Sequence, residues 1–138
     1  MRLDIYNGTR QEIPKALLQR AADVFGKKMR VAKASVSVAF VGERRMRALN
    51  RQYRSRDCVT DVLSFGEGRH SRGYAGEVVI CYQQIRRQAK RQKTSVRAEL
   101  LFIFMHGLLH LSGYDDTTER GWREMERAGT RLCTSIDR

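Results

Sequence analysis

The sequence predicts an α+β domain, a small mixed sheet of about four strands with helices packed over it, and three observations predict it. Short segments alternate apolar and polar residues, as half-buried strands do. Longer segments repeat their apolar residues at three- and four-residue spacing, as helices do. One further stretch, "VRAELLFIFMHGLLHL", is apolar nearly all round and belongs in the middle of a core.

The elements follow in order. "RLDIYN" alternates like a short strand. Pro14 suits the first turn of a helix whose inward stripe is Leu17, Leu18, Ala21, Ala22 and Phe25, and Gly26 is expected to end it. "ASVSVAFV" is a period-2 strand with Val36, Val38 and Phe40 on one face. After Gly42, "ERRMRALNRQYR" reads as a helix with Met46, Leu49 and Tyr53 inward and a second face that is nearly all arginine. "SRDC" is a loop, "VTDVLSF" a strand, "GEGRHSRGYAG" a glycine-rich connection and "EVVICY" a strand. "QQIRRQAKRQKT" reads as a basic helix. Thr94 or Ser95 can cap the apolar helix, which runs to about Leu111, with Gly113 at its C-terminal turn. "TERGWREMERAGTRL" is a final amphipathic helix expected to pack Trp122, Met125 and Leu132 inward. No linker or change of composition divides the chain, so residues 1–138 are expected to form one domain.

Charge narrows the function. Twenty-seven Lys and Arg against fifteen acids give a net charge of +12. Such a surface attracts polyanions by counterion release, and arginine's planar fork suits phosphate. Nucleic acid, RNA above all, is the expected partner. The longest apolar run, "LLFIFM", is far short of a membrane span, and the N-terminus has no apolar signal segment. Cys58, Cys81 and Cys133 form no CxxC pair, so a disulfide scaffold or thiolate zinc site is not expected, and a reducing cytoplasm fits.

The chemistry-bearing stretch is "FMHGLLHLSGYDD". Residues i and i+4 lie about 40° apart around a helix and one turn apart along it. His106 and His110 can therefore aim two ring nitrogens at one metal, and Gly113 lets the chain turn back so that Asp116 reaches it. Two histidines and a carboxylate leave a position open for chemistry. Asp115, and after it His70 from the glycine-rich loop, compete with Asp116 for the third place. Glu99, two turns before His106 and about 10 Å away by helical rise, is too far to be a ligand. A zinc peptidase of the HExxH type needs a glutamate after the first histidine; here that position is Gly107, which disfavours proteolysis.

"HGLLHLSGYDD" together with "LNRQYRSRDCVTDVLSF" and "GEVVIC" strongly resembles the YbeY family of rRNA maturation endoribonucleases, in the right order along nearly the whole chain. The resemblance implies a zincin-like fold, one bound zinc, hydrolysis of single-stranded RNA, maturation of the small-subunit rRNA 3′ end and ribosome quality control. Its implied partners are the small ribosomal subunit and assembly factors. It carries over His106 and His110 as metal ligands and Arg54 as the arginine of the family's Tyr-Arg motif. The family's third ligand is a histidine, and Asp116 stands in its place. A carboxylate donates more negative charge to the metal and is expected to weaken it as a Lewis acid. Two alternatives stay open: a weak or inactive RNA- or ribosome-binding factor with a structural metal, and a metal-dependent hydrolase of another substrate.

Overall fold

The computed structural model describes residues 1–66 and 75–136. Its elements are β1 (Arg2–Asn7), α1 (Lys15–Lys28), β2 (Ser35–Phe40), α2 (Glu43–Arg54), β3 (Val62–Gly66), β4 (Ala75–Ile80), α3 (Tyr82–Gln92), α4 (Val96–Leu111) and α5 (Glu119–Ile136). The sheet has the order β1-β2-β4-β3. β1, β2 and β4 run parallel, and β3 pairs antiparallel with β4 at the far edge. The sheet is therefore mixed, as the sequence predicts.

Strand alternation sorts the core into two layers. Val36, Val38 and Phe40 of β2 and Val78 and Ile80 of β4 join the main core with Leu18, Ala22 and Phe25 of α1, Ile85 of α3, Phe104 and Leu108 of α4, and Met125 and Leu132 of α5. Val79 of β4 points the other way, with Leu63 and Cys81, and Met46 of α2 closes that second cluster. A strand buried on both faces needs a continuous apolar run, which "VVI" supplies. α4 lies at the centre and is buried along Leu100, Leu101, Ile103, Phe104, Met105, Leu108, Leu109 and Leu111.

Several sequence expectations are corrected. α1 does not stop at Gly26 but continues to Lys28, and Arg30 takes the left-handed position at φ 58°. Gly26 instead admits a close packing contact, since a Cβ there would lie 3.2 Å from Met1 and from Ala32 Cα. β3 begins at Val62 rather than Val59. Extended Cys81 precedes the first turn of α3, which takes Tyr82 away from the strand. Trp122 and Tyr53 are not inward, with 47% and 51% of their surface exposed. Tyr53 lies edge-on to Phe65 instead, with ring centroids 5.1 Å apart. Cys81 is buried and Cys58 is exposed. The glycine-rich connection gives Gly66 to β3 and Ala75 and Gly76 to β4, and its residues 67–74, His70 among them, lie outside the described residues.

Candidate metal centre

α4 starts where Ser95 caps it, its Oγ accepting from the Ala98 N–H at 3.0 Å. About three turns on, the helix presents His106 and His110, with ring centroids 4.8 Å apart and planes at 80°. The helix ends in a tight turn. Gly113 N–H donates to the His110 carbonyl and Tyr114 N–H to the Leu109 carbonyl, with Gly113 at φ +98°. That φ favours glycine, because a side chain there would clash with its own backbone.

The turn returns the chain to the histidines. The Tyr114 carbonyl lies 3.2 Å from His110 Nδ1 and can only accept, so Nδ1 donates its N–H and the Nε2 lone pair is left for a metal. Asp116 Oδ2 stands 3.5 Å from His110 Nε2 and 3.7 Å from His106 Nε2. The three ligand atoms lie within 4.8 Å of one another. The set fits a divalent ion by its chemistry: two imidazoles and one carboxylate, their lone pairs facing a common point, with one nitrogen already oriented by a backbone carbonyl. Asp115 turns elsewhere, its carboxylate accepting from Thr117 N–H at 2.9 Å and Thr117 Oγ1 at 2.8 Å. Those bonds hold the Asp115 pKa below the ordinary carboxylate range, favouring the charged form.

Burial, and then the neighbouring His110, push the His106 pKa down, while Asp116 and Asp61 pull the other way. A neutral imidazole is the form a metal needs, so His106 is prepared for ligation at neutral pH. Gly107 sets the depth of the helix. A Cβ there would lie 3.0 Å from Val78 Cγ1, 3.2 Å from Val62 Cγ2 and 3.3 Å from Ser64 Oγ, so the glycine makes room for strand side chains. Ser64 Oγ donates to the Gly107 carbonyl at 3.0 Å and ties β3 to the helix that bears the histidines.

The donors face a cleft of about 1030 Å³ that also exposes Arg54, Arg56, Asp61, Ser64 and Arg91. Arg54 is held by the Ser64 carbonyl, to which its Nη2 donates at 3.0 Å, and lies over Phe65 with Cζ 5.4 Å from the ring centre. Sequence reasoning missed Ser64, which bonds both to Arg54 and to the helix bearing the histidines. Asp61 lines the same cleft. Asp61 accepts from Gln88 Nε2 at 3.2 Å, and the same amide nitrogen lies 3.4 Å from buried Glu99. Burial raises the Glu99 pKa, the Gln88 hydrogen bond opposing.

Several arginines expected to be open to a polyanion are paired. Arg47 binds Asp57 through two bonds of 2.8 and 3.1 Å, Arg51 lies 3.6 Å from the same carboxylate, and Arg87 pairs with Glu43. Arg44 and Arg45 are exposed on α2. Among the described residues no helix is long and apolar enough to cross a membrane.

Comparison with known proteins supplies the context. A family model described as endoribonuclease YbeY matches residues 4–137. The chain is similar to the endoribonuclease YbeY of Anaeromyxobacter sp., 44% identical over 104 residues, or 74% of this chain and 54% of the relative. It is 47% identical to that of Ureaplasma urealyticum over 78 residues, 55% of this chain and 50% of the relative. It is 34% identical to that of Chlorobium luteolum over 125 residues, 91% of this chain and 90% of the relative. The chain thus spans about half the length of the first two and nearly all of the third. The fold is similar to the solution structure of a Thermotoga maritima protein, with a TM-score of 0.68 at 24% identity, covering 97% of this chain and 88% of that one.

Proposed function

Because the chain belongs to the endoribonuclease YbeY family, we propose that it is a metal-dependent endoribonuclease that cleaves single-stranded RNA in rRNA processing, including small-subunit 3′ end maturation and ribosome quality control, in the cytoplasm. One observation carries the reading: His106, His110 and Asp116 converge in a cleft that also exposes Arg54. His106, His110 and Asp116 would hold one zinc ion, which when bound supplies Lewis acidity for phosphodiester hydrolysis.

The chain's own groups do the rest. Arg54, steadied by the Ser64 carbonyl, leaves the remaining N–H groups of its fork to clamp the scissile phosphate and stabilise its developing charge. Arg56 and Arg91 on the cleft wall hold the flanking backbone. The Tyr114 carbonyl keeps the His110 ring from turning. Small-subunit rRNA and the assembly factors that accompany it are the partners this activity implies.

The departure at the third ligand, Asp116 for the family's histidine, favours a second reading, an RNA-binding factor in which the metal only braces the fold. Cleavage of single-stranded RNA by wild type, His110→Ala and Arg54→Glu, with zinc content recorded for each, separates the two. The nuclease reading expects cleavage by wild type, loss of zinc and activity in His110→Ala, and in Arg54→Glu full zinc with a rate lower by about 10²–10³. Equal cleavage by all three, or RNA binding without cleavage, sinks it.

A further inference from the structure

Beside the metal cleft, between α4 and α5, lies a second pocket of about 460 Å³ that shares Gln92, Glu99, Phe102 and His106 with it. Two helical pairs at i, i+4 spacing line it, Phe102 and His106 from α4 and Trp122 and Glu126 from α5, with Gln92 and Thr94 at its rim. The Phe102 ring lies near that of His106, with centroids 6.2 Å apart and a tilt of 32°. Trp122 is the chain's sole tryptophan, and it stands half out of the core on a helix that buries Met125, Ala128 and Leu132. A large aromatic ring left at the mouth of a pocket has apolar surface to cover.

The two cavities differ in charge. The metal cleft is lined by Arg54, Arg56 and Arg91 together with Asp61, Asp116 and the shared Glu99, whereas among the described residues no Lys or Arg lines the aromatic pocket, which carries Glu99 and Glu126. A phosphate therefore finds guanidinium partners in the first and, among the described residues, none in the second. A nucleotide has both an anionic part and a flat neutral part that stacks on aromatic faces and hydrogen-bonds at its edges. The chain's +12 charge brings the polyanion to the surface, and the paired cavities then sort its halves.

We propose that this pocket receives one unstacked nucleobase of the RNA strand, held against Trp122 and Phe102, while the adjoining phosphate lies in the metal cleft. The inference rests on the endoribonuclease reading and deepens it. A base engaged in a duplex cannot enter the pocket without leaving its stack, so the pocket makes single-strandedness a requirement of binding. Glu126, Gln92 and Thr94 offer acceptors and donors to the base edge.

Because Trp122 is the sole tryptophan, its emission reports on the pocket directly. Zinc-loaded protein is mixed by stopped flow with a short single-stranded oligoribonucleotide, with the same strand annealed to its complement, and with strands lacking one base at each position in turn. The single strand should quench the emission, and the duplex should not. One abasic position should abolish quenching and weaken binding about 5- to 150-fold, the range of one base–aromatic stack. Trp122→Ala should weaken binding and lower kcat/KM by the same range with unchanged zinc content and melting temperature. Trp122→Phe should restore most of both. If wild type binds and cleaves the strand without quenching, or Trp122→Ala binds it as tightly as wild type, the base pocket is refuted while the nuclease reading survives. If wild type neither binds nor cleaves RNA, both fall together.

Discussion

Replacing Gly121 by alanine tests how the third donor is held in place. Gly121 lies in the first turn of α5, where its N–H donates to the Thr118 hydroxyl at 3.0 Å. A Cβ at this position would stand 2.1 Å from the Asp115 carbonyl oxygen and 3.0 Å from Thr118 Oγ1. Even a favourable carbon–oxygen contact needs about 3.3 Å, so the Asp115 carbonyl has to retreat by about 1 Å. Asp115 is bonded to Asp116, so the retreat carries the carboxylate away from the two Nε2 atoms, now 3.5 and 3.7 Å from it. Ligand distances in a metal site tolerate only about 0.2 Å. Zinc affinity should fall about 10- to 100-fold, the cost of disturbing a group that supports a ligand. Alanine meanwhile gains about 1 kcal/mol over glycine within a helix, which keeps α5 formed. A competition titration against a chromophoric chelator reads the affinity, and circular dichroism confirms the helix. Unchanged affinity in a folded Gly121→Ala protein would show that α5 does not position Asp116.

Three further outcomes follow from the same geometry. Gly107→Ala adds a methyl against Val78, Val62 and Ser64, an overpacking that costs about 1–3 kcal/mol, offset by about 1 kcal/mol of helix propensity; its urea midpoint should be lower, and an equal or higher midpoint would show slack between α4 and the sheet. Burial raises the Glu99 pKa in the folded state, so its contribution to stability is complete below the ordinary glutamate value and is lost as pH rises through the raised one. Glu99→Gln removes that loss, so its melting temperature should match wild type near about pH 4 and exceed it near about pH 8; a constant difference across that range contradicts the assignment. Asp116→His replaces an anionic donor with a neutral one and should strengthen the metal as a Lewis acid, moving the pH–rate profile for RNA cleavage to lower pH; an unmoved or raised profile counts against Asp116 as a ligand.

What could be read in the sequence depended on whether a feature was periodic or tertiary. α2 is found over Glu43–Arg54 as its arginine-rich periodicity predicts, and the apolar stripe of α1 is buried at every position named for it. The donor group was legible for the same reason: four-residue spacing puts His106 and His110 on one face, and a glycine at positive φ brings Asp116 back. Gly26 misled because a glycine marks a helix end only when nothing packs against it, and here Met1 and Ala32 do. Trp122 lies at the margin of the α5 stripe, where spacing alone cannot separate core from rim. Ser64, Asp61 and Gln88 carry no spacing signal, since their contacts join strand, loop and helix across 27 to 43 positions of sequence. Arg54 was chosen on resemblance among many arginines. The structure adds the physical distinction, a guanidinium fixed to the Ser64 carbonyl within the cleft that holds the donors.

The central claim is that three side chains of one turn and one helix hold a single zinc ion at the working centre. Zinc bound per chain, measured by elemental analysis and competition titration on wild type beside Asp116→Ala, tests it most directly. The account predicts one zinc per wild-type chain and an affinity at least about 100-fold weaker in the variant, beyond what losing a mere supporting group costs. Equal stoichiometry and equal affinity in the two proteins would contradict it and remove Asp116 from the site.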